Sequence, residues 1–467
     1  MQGNLMQIFV PLFFSLLFEA KVDREGNVVN SCIETLACIA GHIRWHSYFS
    51  LLMRAFRMMA SKEDNRNILI RMICSILDKF HFIDGMPSTV EPEKHDHQIE
   101  IGETAFDKPD MGLRRNGENK NIISPEIQER LQKCVLPEIN KLMISPSNVV
   151  NISVSRVAVK LLKLMPLETM ESELPRIIQQ IANLLKSRPH SVRDEARACL
   201  AACAKELGPQ YLQFIVKTLQ TTLTRGYELH VLGYTVNFIL LKVSSSLDIG
   251  DIDYCVQQLL EVAENDIMGE VAEEKEVEKI AFKMKETRST KSFESLQLIA
   301  RSITFSAHAS TLLVPVRHNL HRTLTPKEKV KIESMLRYLA TGLQANASLS
   351  QTDLFVFVYG LIEDGIGEEK MGRKTALFIK PGLASSISSG SYKNSMKGPT
   401  DYKLDTPNRY LILVFALRLL ENYLKKLKVD KSDQYLIVML DPFIELLGHC
   451  LKSKYEGVIS HFVKCLD

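Results

Sequence analysis

"ELPRIIQQIANLLKSRPHSVRDEARACLAACAKELG" fills residues 173–208 and reads as two amphipathic helices joined by a short turn. In the first half, Ile177, Ile178, Ile181, Leu184 and Leu185 recur at helical spacing and share one face. "RPHS" interrupts the pattern at residues 188–191. In the second half, Val192, Ala196, Cys199, Leu200 and Cys203 make another apolar face, whose small residues let a neighbouring helix come close. Pro175 is expected in the first turn of its helix, where a missing N–H does no harm, and Gly208 is placed to stop the second helix.

The same pattern returns at a fixed distance. An offset of 38 carries Leu136, Pro137, Glu138 and Ile139 onto Leu174, Pro175, Arg176 and Ile177. It also carries Val154, Ala158 and Leu162 onto Val192, Ala196 and Leu200. A further 38 residues take Ile177, Ile178 and Ile181 to Ile215, Val216 and Leu219, and Leu200 to Phe238. Near the start an offset of 40 pairs Leu12 and Leu16 with Leu52 and Phe56, and Val28 and Ile33 with Ile68 and Ile73. A helix pair of this size cannot bury its apolar faces alone, so repeats of it must stack. The pattern "LP", helix, "VRDEA", leucine resembles a HEAT repeat, with Arg193 and Asp194 at the polar positions of the second helix. The fold class expected is therefore all-α: an α-solenoid of stacked HEAT-like helix pairs with two disordered insertions.

Composition agrees with that reading. The chain has 467 residues, is 45% hydrophobic and carries a formal net charge of +3, so it can bury a large core while its acids and bases nearly cancel. Any nucleic-acid contact has to come from local patches. Nine cysteines, an odd number with no CxxC pair, point to a reducing compartment rather than a disulfide framework. The apolar runs at residues 8–18 and 411–420 are too short to span a bilayer, and Arg418 interrupts the second. Both read as buried helices of a soluble, intracellular protein, and no basic n-region or cleavage site marks a signal peptide.

Two stretches leave the helical pattern. Residues 84–123 are polar and rich in Pro and Gly, and residues 365–408 are rich in Ser, Gly and Lys, with seven Lys/Arg against three Asp/Glu between 367 and 403. Both read as insertions outside the stack. The resulting division is HEAT-like repeats at 1–83, a polar insertion at 84–123, repeats of about 38 residues at 124–250, a long charged helix and further repeats at 251–364, a second insertion at 365–408, and helical repeats at 409–467. Neither end resembles the polar capping repeat of a free-standing solenoid, so the chain reads as a segment of a longer one.

Catalytic motifs are not evident. His95 and His97 sit in a polar loop without partners at ligand spacing. The glycines of "GIGEEKMG" are not followed by GK[ST], and neither a nucleophile elbow nor HExxH occurs. The reading is of no enzyme, no cofactor, no metal and no small-molecule substrate. His42 and His46 flank the single tryptophan, Trp45, where a packed helix turn is expected.

Charge is concentrated in "MGEVAEEKEVEKIAFKMKETRSTKSFESLQLIAR" (268–301). Val277, Ile280, Ala281 and Met284 share one helical face, and acids precede bases, the order that a helix dipole favours. A long amphipathic helix is expected, packed by one narrow stripe, with "TRSTKS" ending it and Phe293, Leu296, Ala300 and Ile303 opening the next. Its free cations, Lys279, Lys283, Lys285, Arg288 and Lys291, are candidate contacts for RNA or a partner. Arg317 and Arg322, flanking "HNLH", and Lys425, Lys426 and Lys428 of "KKLK" complete the candidate set.

This charged segment, the N-terminal "LFFSLLFEAKVDREGNVVNSCIETLACIAGHIRWHSYFSLLMRAF" and the repeats from Val135 to Leu241 resemble the small-subunit processome component 20 family. That resemblance implies a very large nucleolar HEAT-repeat protein, of which this chain is one internal arc. It implies a non-catalytic scaffold in ribosome biogenesis and pre-rRNA processing. The implied partners are pre-ribosomal RNA, the small nucleolar ribonucleoprotein and other processome proteins, in the nucleus and nucleolus and not at a membrane. The alternative is a generic HEAT-repeat protein-binding scaffold, such as a transport receptor or signalling scaffold.

Overall fold

The computed structural model describes residues 5–19, 26–61, 65–82, 123–143, 152–225, 227–269, 272, 284–288, 290–366, 408–426 and 434–466. Among these the regular structure is all helical. The chain divides into two units, 1–181 and 182–467.

The first unit contains α1 (Val10–Glu19), α2 (Gly26–Ala40), α3 (Trp45–Ser61), α4 (Arg66–Asp78), α5 (Pro125–Arg130), α6 (Leu136–Met143) and α7 (Ile152–Leu162). Helices α2, α4 and α7 pack side by side in one row, and α3 meets α6 in a second row. The rows are tied by the pairs α3–α4 and α6–α7. This is the two-row stacking of an α-solenoid, and it follows from apolar faces too wide for a single partner. Ile33 and Ile73, matched at an offset of 40 in the sequence, are both buried. Leu12, Leu16 and Val28 are exposed instead, and Val10, Phe14 and Leu17 form the buried stripe of α1. With almost every position of α1 apolar, periodicity could not fix which stripe faces inward. Trp45 packs against Tyr48, Phe49, Phe80 and Phe82, with ring centroids 5.3 to 6.4 Å apart. Tyr48 Oη donates to the Ile76 carbonyl at 2.9 Å, which joins the first turn of α3 to the end of α4.

Helix α8 (Leu167–Leu184) starts earlier than its apolar pattern suggests, so Pro175 lies inside it rather than in its first turn. Pro166 and the run "LETMESE" extend the helix ahead of the proline, and it runs through the one hydrogen bond that Pro175 cannot make.

In the second unit, one row comprises α9 (His190–Leu207), α11 (Tyr227–Val243), α13 (Ser292–Ser302), α16 (Pro326–Gln344), α18 (Tyr410–Leu424) and α20 (Glu456–Leu466), each touching the next. The other row comprises α10 (Leu212–Thr222), α12 (Val256–Met268), α14 (Phe305–Leu312), α15 (Val314–Leu320), α17 (Gln351–Ile366) and α19 (Gln434–Cys450). Cross-row pairs α10–α11, α12–α13, α15–α16, α17–α18 and α19–α20 complete the stack. Gly208 ends α9 with φ +91°, a conformation that costs glycine nothing. Two side-chain rungs repeat the 38-residue spacing: Arg197 Nε donates to Thr235 Oγ1 at 3.2 Å, and Gln258 Nε2 to Gln220 Oε1 at 2.5 Å. The sequence period is thus a physical distance of one repeat.

Apart from their edges, the two expected insertions lie outside the described residues. At those edges Gly365 and Ile366 still belong to α17, and Asn408 is buried, its Nδ2 donating to the Arg322 carbonyl at 3.1 Å. His95 and His97 also lie outside the described residues. Among the described residues no helix is long and apolar enough to cross a membrane.

Candidate nucleic-acid interface

The end of the charged stretch packs on the second unit. Residues 273–283, where the long amphipathic helix is expected, lie outside the described residues, and with them Lys279 and Lys283. Residues 284–288 form a short 3-10 turn spanning Lys285–Thr287. In that turn the alternation of charge resolves into opposite roles. Lys285 is exposed, while the next residue, Glu286, is only 1% exposed and reaches under α9.

Glu286 meets two buried guanidinium groups. Arg193 Nε and Nη2 each donate to a different Glu286 oxygen at 2.9 Å. Arg197 Nη2 donates to Glu286 Oε1 as well. The remaining Arg193 donor satisfies the Ser187 and Arg188 carbonyls at 2.9 and 2.6 Å, at the turn before α9. Arg197 also bonds Asp194 and Thr235. Burial alone would push the Glu286 carboxyl up; the Arg193 hydrogen bonds and the Arg197 charge outweigh it and hold the group down to about 2.

On this buried cluster stands an aromatic tier. The Arg197 guanidinium lies 4.7 Å from the centroid of the Tyr234 ring on α11, and the Lys285 ammonium 5.8 Å from the same centroid. Lys285 Nζ is also 3.3 and 3.4 Å from the two Asp194 carboxylate oxygens. One helix further along the row, Phe293 of α13 stacks on Tyr338 of α16 with centroids 5.7 Å apart and planes inclined by 23°. Arg337 is 5.5 Å from the Tyr338 centroid. Lys291, at the N-cap of α13, is near enough to both tyrosines to feel their charge. Its pKa is raised first by its hydrogen bond to Glu294, with smaller contributions from Glu294, Tyr234 and Tyr338.

Lys285, Arg288 and Lys291 are therefore brought together, with Arg288 exposed at the end of the 284–288 turn. The other candidates sit elsewhere and are mostly engaged. Arg317 Nη2 is 3.6 Å from Asp364, and Arg322 Nη2 is 2.9 Å from Glu328. Lys425 Nζ is 2.6 Å from Glu421, a carboxylate that also meets His461 at 2.8 Å. Lys426 is exposed at the end of α18, and Lys428 lies outside the described residues. Glu286, Arg197, Tyr234 and Tyr338 were not singled out by sequence reasoning. The only signal for them was the 38-residue spacing from Arg197 to Thr235, the neighbour of Tyr234. Among the described residues no group of three or more His, Cys, Asp or Glu side chains could hold a metal ion.

Comparison with known proteins finds similarity across this surface. Residues 145–362 match the model of the U3 small nucleolar RNA-associated protein 20 domain. The matched stretch includes α9 to α16, the 284–288 turn and the aromatic tier. Similarity also runs beyond the domain. The chain is 28% identical over 98% of its length to U3 small nucleolar RNA-associated protein 20 of Schizosaccharomyces pombe. It is 24% identical over 99% of its length to the Saccharomyces cerevisiae protein of the same name. It spans only 17% and 18% of those relatives. Among solved structures, a mutant of the karyopherin Kap121p aligns over 99% of this chain and 46% of its own, with 13% identity and a TM-score of 0.40.

Proposed function

We propose that the chain is a non-catalytic scaffold arc of the nucleolar small-subunit processome. It supports pre-rRNA processing and small ribosomal subunit biogenesis by bracing precursor RNA, the small nucleolar ribonucleoprotein and assembly proteins. The observation that carries this reading is similarity along nearly the whole chain to two relatives named for association with U3 small nucleolar RNA. The stacked helices suit the role, because a repeat array offers long surfaces rather than an enclosed site. RNA contact falls to the cations of the 284–291 segment, because Lys285 and Lys291, although paired with Asp194 and Glu294, stand with aromatic rings, whereas Arg317, Arg322 and Lys425 are paired with carboxylates elsewhere.

The test is ultraviolet crosslinking of the tagged protein in cells, followed by sequencing of the bound RNA. Enrichment of precursor small-subunit rRNA and its guide RNA supports the reading. RNA at background with assembly proteins co-purified makes the chain a protein-binding brace. Recovery of neither overturns the processome assignment and leaves a generic HEAT-repeat scaffold.

A further inference from the structure

Tyr234, Phe293 and Tyr338 stand on α11, α13 and α16, three successive helices of one row. All three rings are half-buried, so each is anchored in the stack while part of it reaches the surface. The Tyr234 ring is backed by the Arg197 guanidinium, itself 1% exposed and held by Glu286, Asp194 and Thr235. Tyr338 is backed by Phe293. What covers the tyrosines at the surface is long and polar: Lys285, 52% exposed, over Tyr234, and the exposed Arg337 over Tyr338. Around the rings stand the cations Lys285, Lys291 and Arg337, with the exposed Arg288 at the end of the same turn as Lys285, while the carboxylates paired to Lys285 and Lys291 are Asp194 and Glu294.

We propose that this tier binds single-stranded RNA, with bases stacking on Tyr234 and Tyr338 and phosphates held by Lys285, Arg288, Lys291 and Arg337. The proposal rests on the reading of the chain as part of a pre-ribosomal RNA particle. Flat rings interleaved with cations are what unpaired bases need: every base has a π-face, and stacking tolerates any sequence. In an A-form duplex the bases are stacked inside the helix, so the rings would go unused and only the cations would contribute. An acidic protein segment would use the cations and gain nothing from planar faces. Rings already backed by Arg197 and Phe293 lose little freedom when a base stacks on them.

The experiment is fluorescence anisotropy of the full chain with a labelled, unstructured oligouridine, beside a labelled RNA duplex and a labelled polyglutamate peptide. The variants are Tyr234→Leu and Tyr338→Leu, which stay apolar but lose the flat face, and Tyr234→Phe and Tyr338→Phe, which keep it. Helicity by circular dichroism checks that each variant folds. The expected result is preference for the single strand, weakened about 10-fold by each leucine substitution and retained by phenylalanine. Equal affinity for duplex and single strand, leucine variants that bind like the parent, or preference for the peptide would overturn the proposal. The same variants are then crosslinked in cells. If leucine variants still recover precursor rRNA at the parent level, the stacking site falls and the processome reading stands. If the parent recovers neither precursor rRNA nor assembly proteins, that reading falls, and the oligouridine measurement alone decides the stacking site.

Discussion

Arg193 and Glu286 lie 93 residues apart and close a two-point ion pair, both N–H···O distances 2.9 Å, in a site where each side chain is at most 3% exposed. Arg197 donates to the same carboxylate, so one negative charge serves two buried positive ones. This ties the end of the charged stretch to α9 and, through Thr235, to α11. Removing one partner of such a buried pair costs about 3–5 kcal/mol, because the remaining charge cannot regain its water. Glu286→Gln is therefore expected to lower the unfolding free energy of the second unit, measured by urea titration, by an amount in that range. A midpoint equal to the parent's would mean that the two guanidinium groups are satisfied without Glu286.

The same carboxylate gives stability a pH dependence. Its folded value of about 2 is below the ordinary 4.5, so this contribution is fully present above about pH 4.5. As pH falls from there towards 2, the unfolded chain takes up the proton first and up to about 3 kcal/mol is lost. Urea unfolding of the parent and of Glu286→Gln across this range should show the difference between them shrinking with acid. Parallel curves would contradict the depressed pKa.

The repeat was legible because it is local: a period of 38 places Arg197 beside Thr235 and Gln220 beside Gln258, and the hydrogen bonds follow. The role of Glu286 was not legible, since its partners are 93 and 89 residues away and it sits in a stretch dense in charge. The aromatic tier was hidden for a related reason. Tyr234, Phe293 and Tyr338 come from three helices, and only the stacking of α11, α13 and α16 brings them to one surface.

Leu200 is fully buried on α9, one repeat on from Leu162, which is also fully buried. Leu200→Asp would place an unpaired charge in that apolar row and should abolish cooperative folding of the repeat. Leu200→Ala, which leaves only a cavity, should cost about 2–5 kcal/mol. Thermal unfolding followed by circular dichroism separates the two, and an aspartate variant as stable as the alanine variant would show that water reaches the position.

Gly342 and Gly360 test the closeness of the rows. A Cβ on Gly342 would lie 2.4 Å from the Gln297 carbonyl oxygen and 2.7 Å from the Ala300 Cβ, so α16 could not stay against α13. Gly342→Ala should destabilise by about 1–3 kcal/mol through overpacking. On α17, Gly360 has nothing within 4 Å of that position. Gly360→Ala should stabilise by about 0.5–1 kcal/mol, because alanine favours the helix and restricts the unfolded chain. Opposite signs in the melting temperature are expected, and a neutral Gly342→Ala would mean that the contact relaxes.

The cations differ in how much of their charge is available to a phosphate. Arg322 spends its own on Glu328, 2.9 Å away, and that carboxylate also accepts from the Thr325 backbone N–H at 2.8 Å in the capping box of α16. Arg288 is exposed at the end of the turn that carries Lys285. A cation that displaces a counterion from RNA contributes to the salt dependence of binding, whereas one already paired releases little. Arg288→Ala is therefore expected to reduce the slope of log affinity against log salt by about 1 for oligouridine. Arg322→Ala should leave the slope unchanged, and the loss of an exposed pair worth about 0–1 kcal/mol will not unfold the repeat. Equal slopes for the parent and Arg288→Ala would remove Arg288 from the phosphate path.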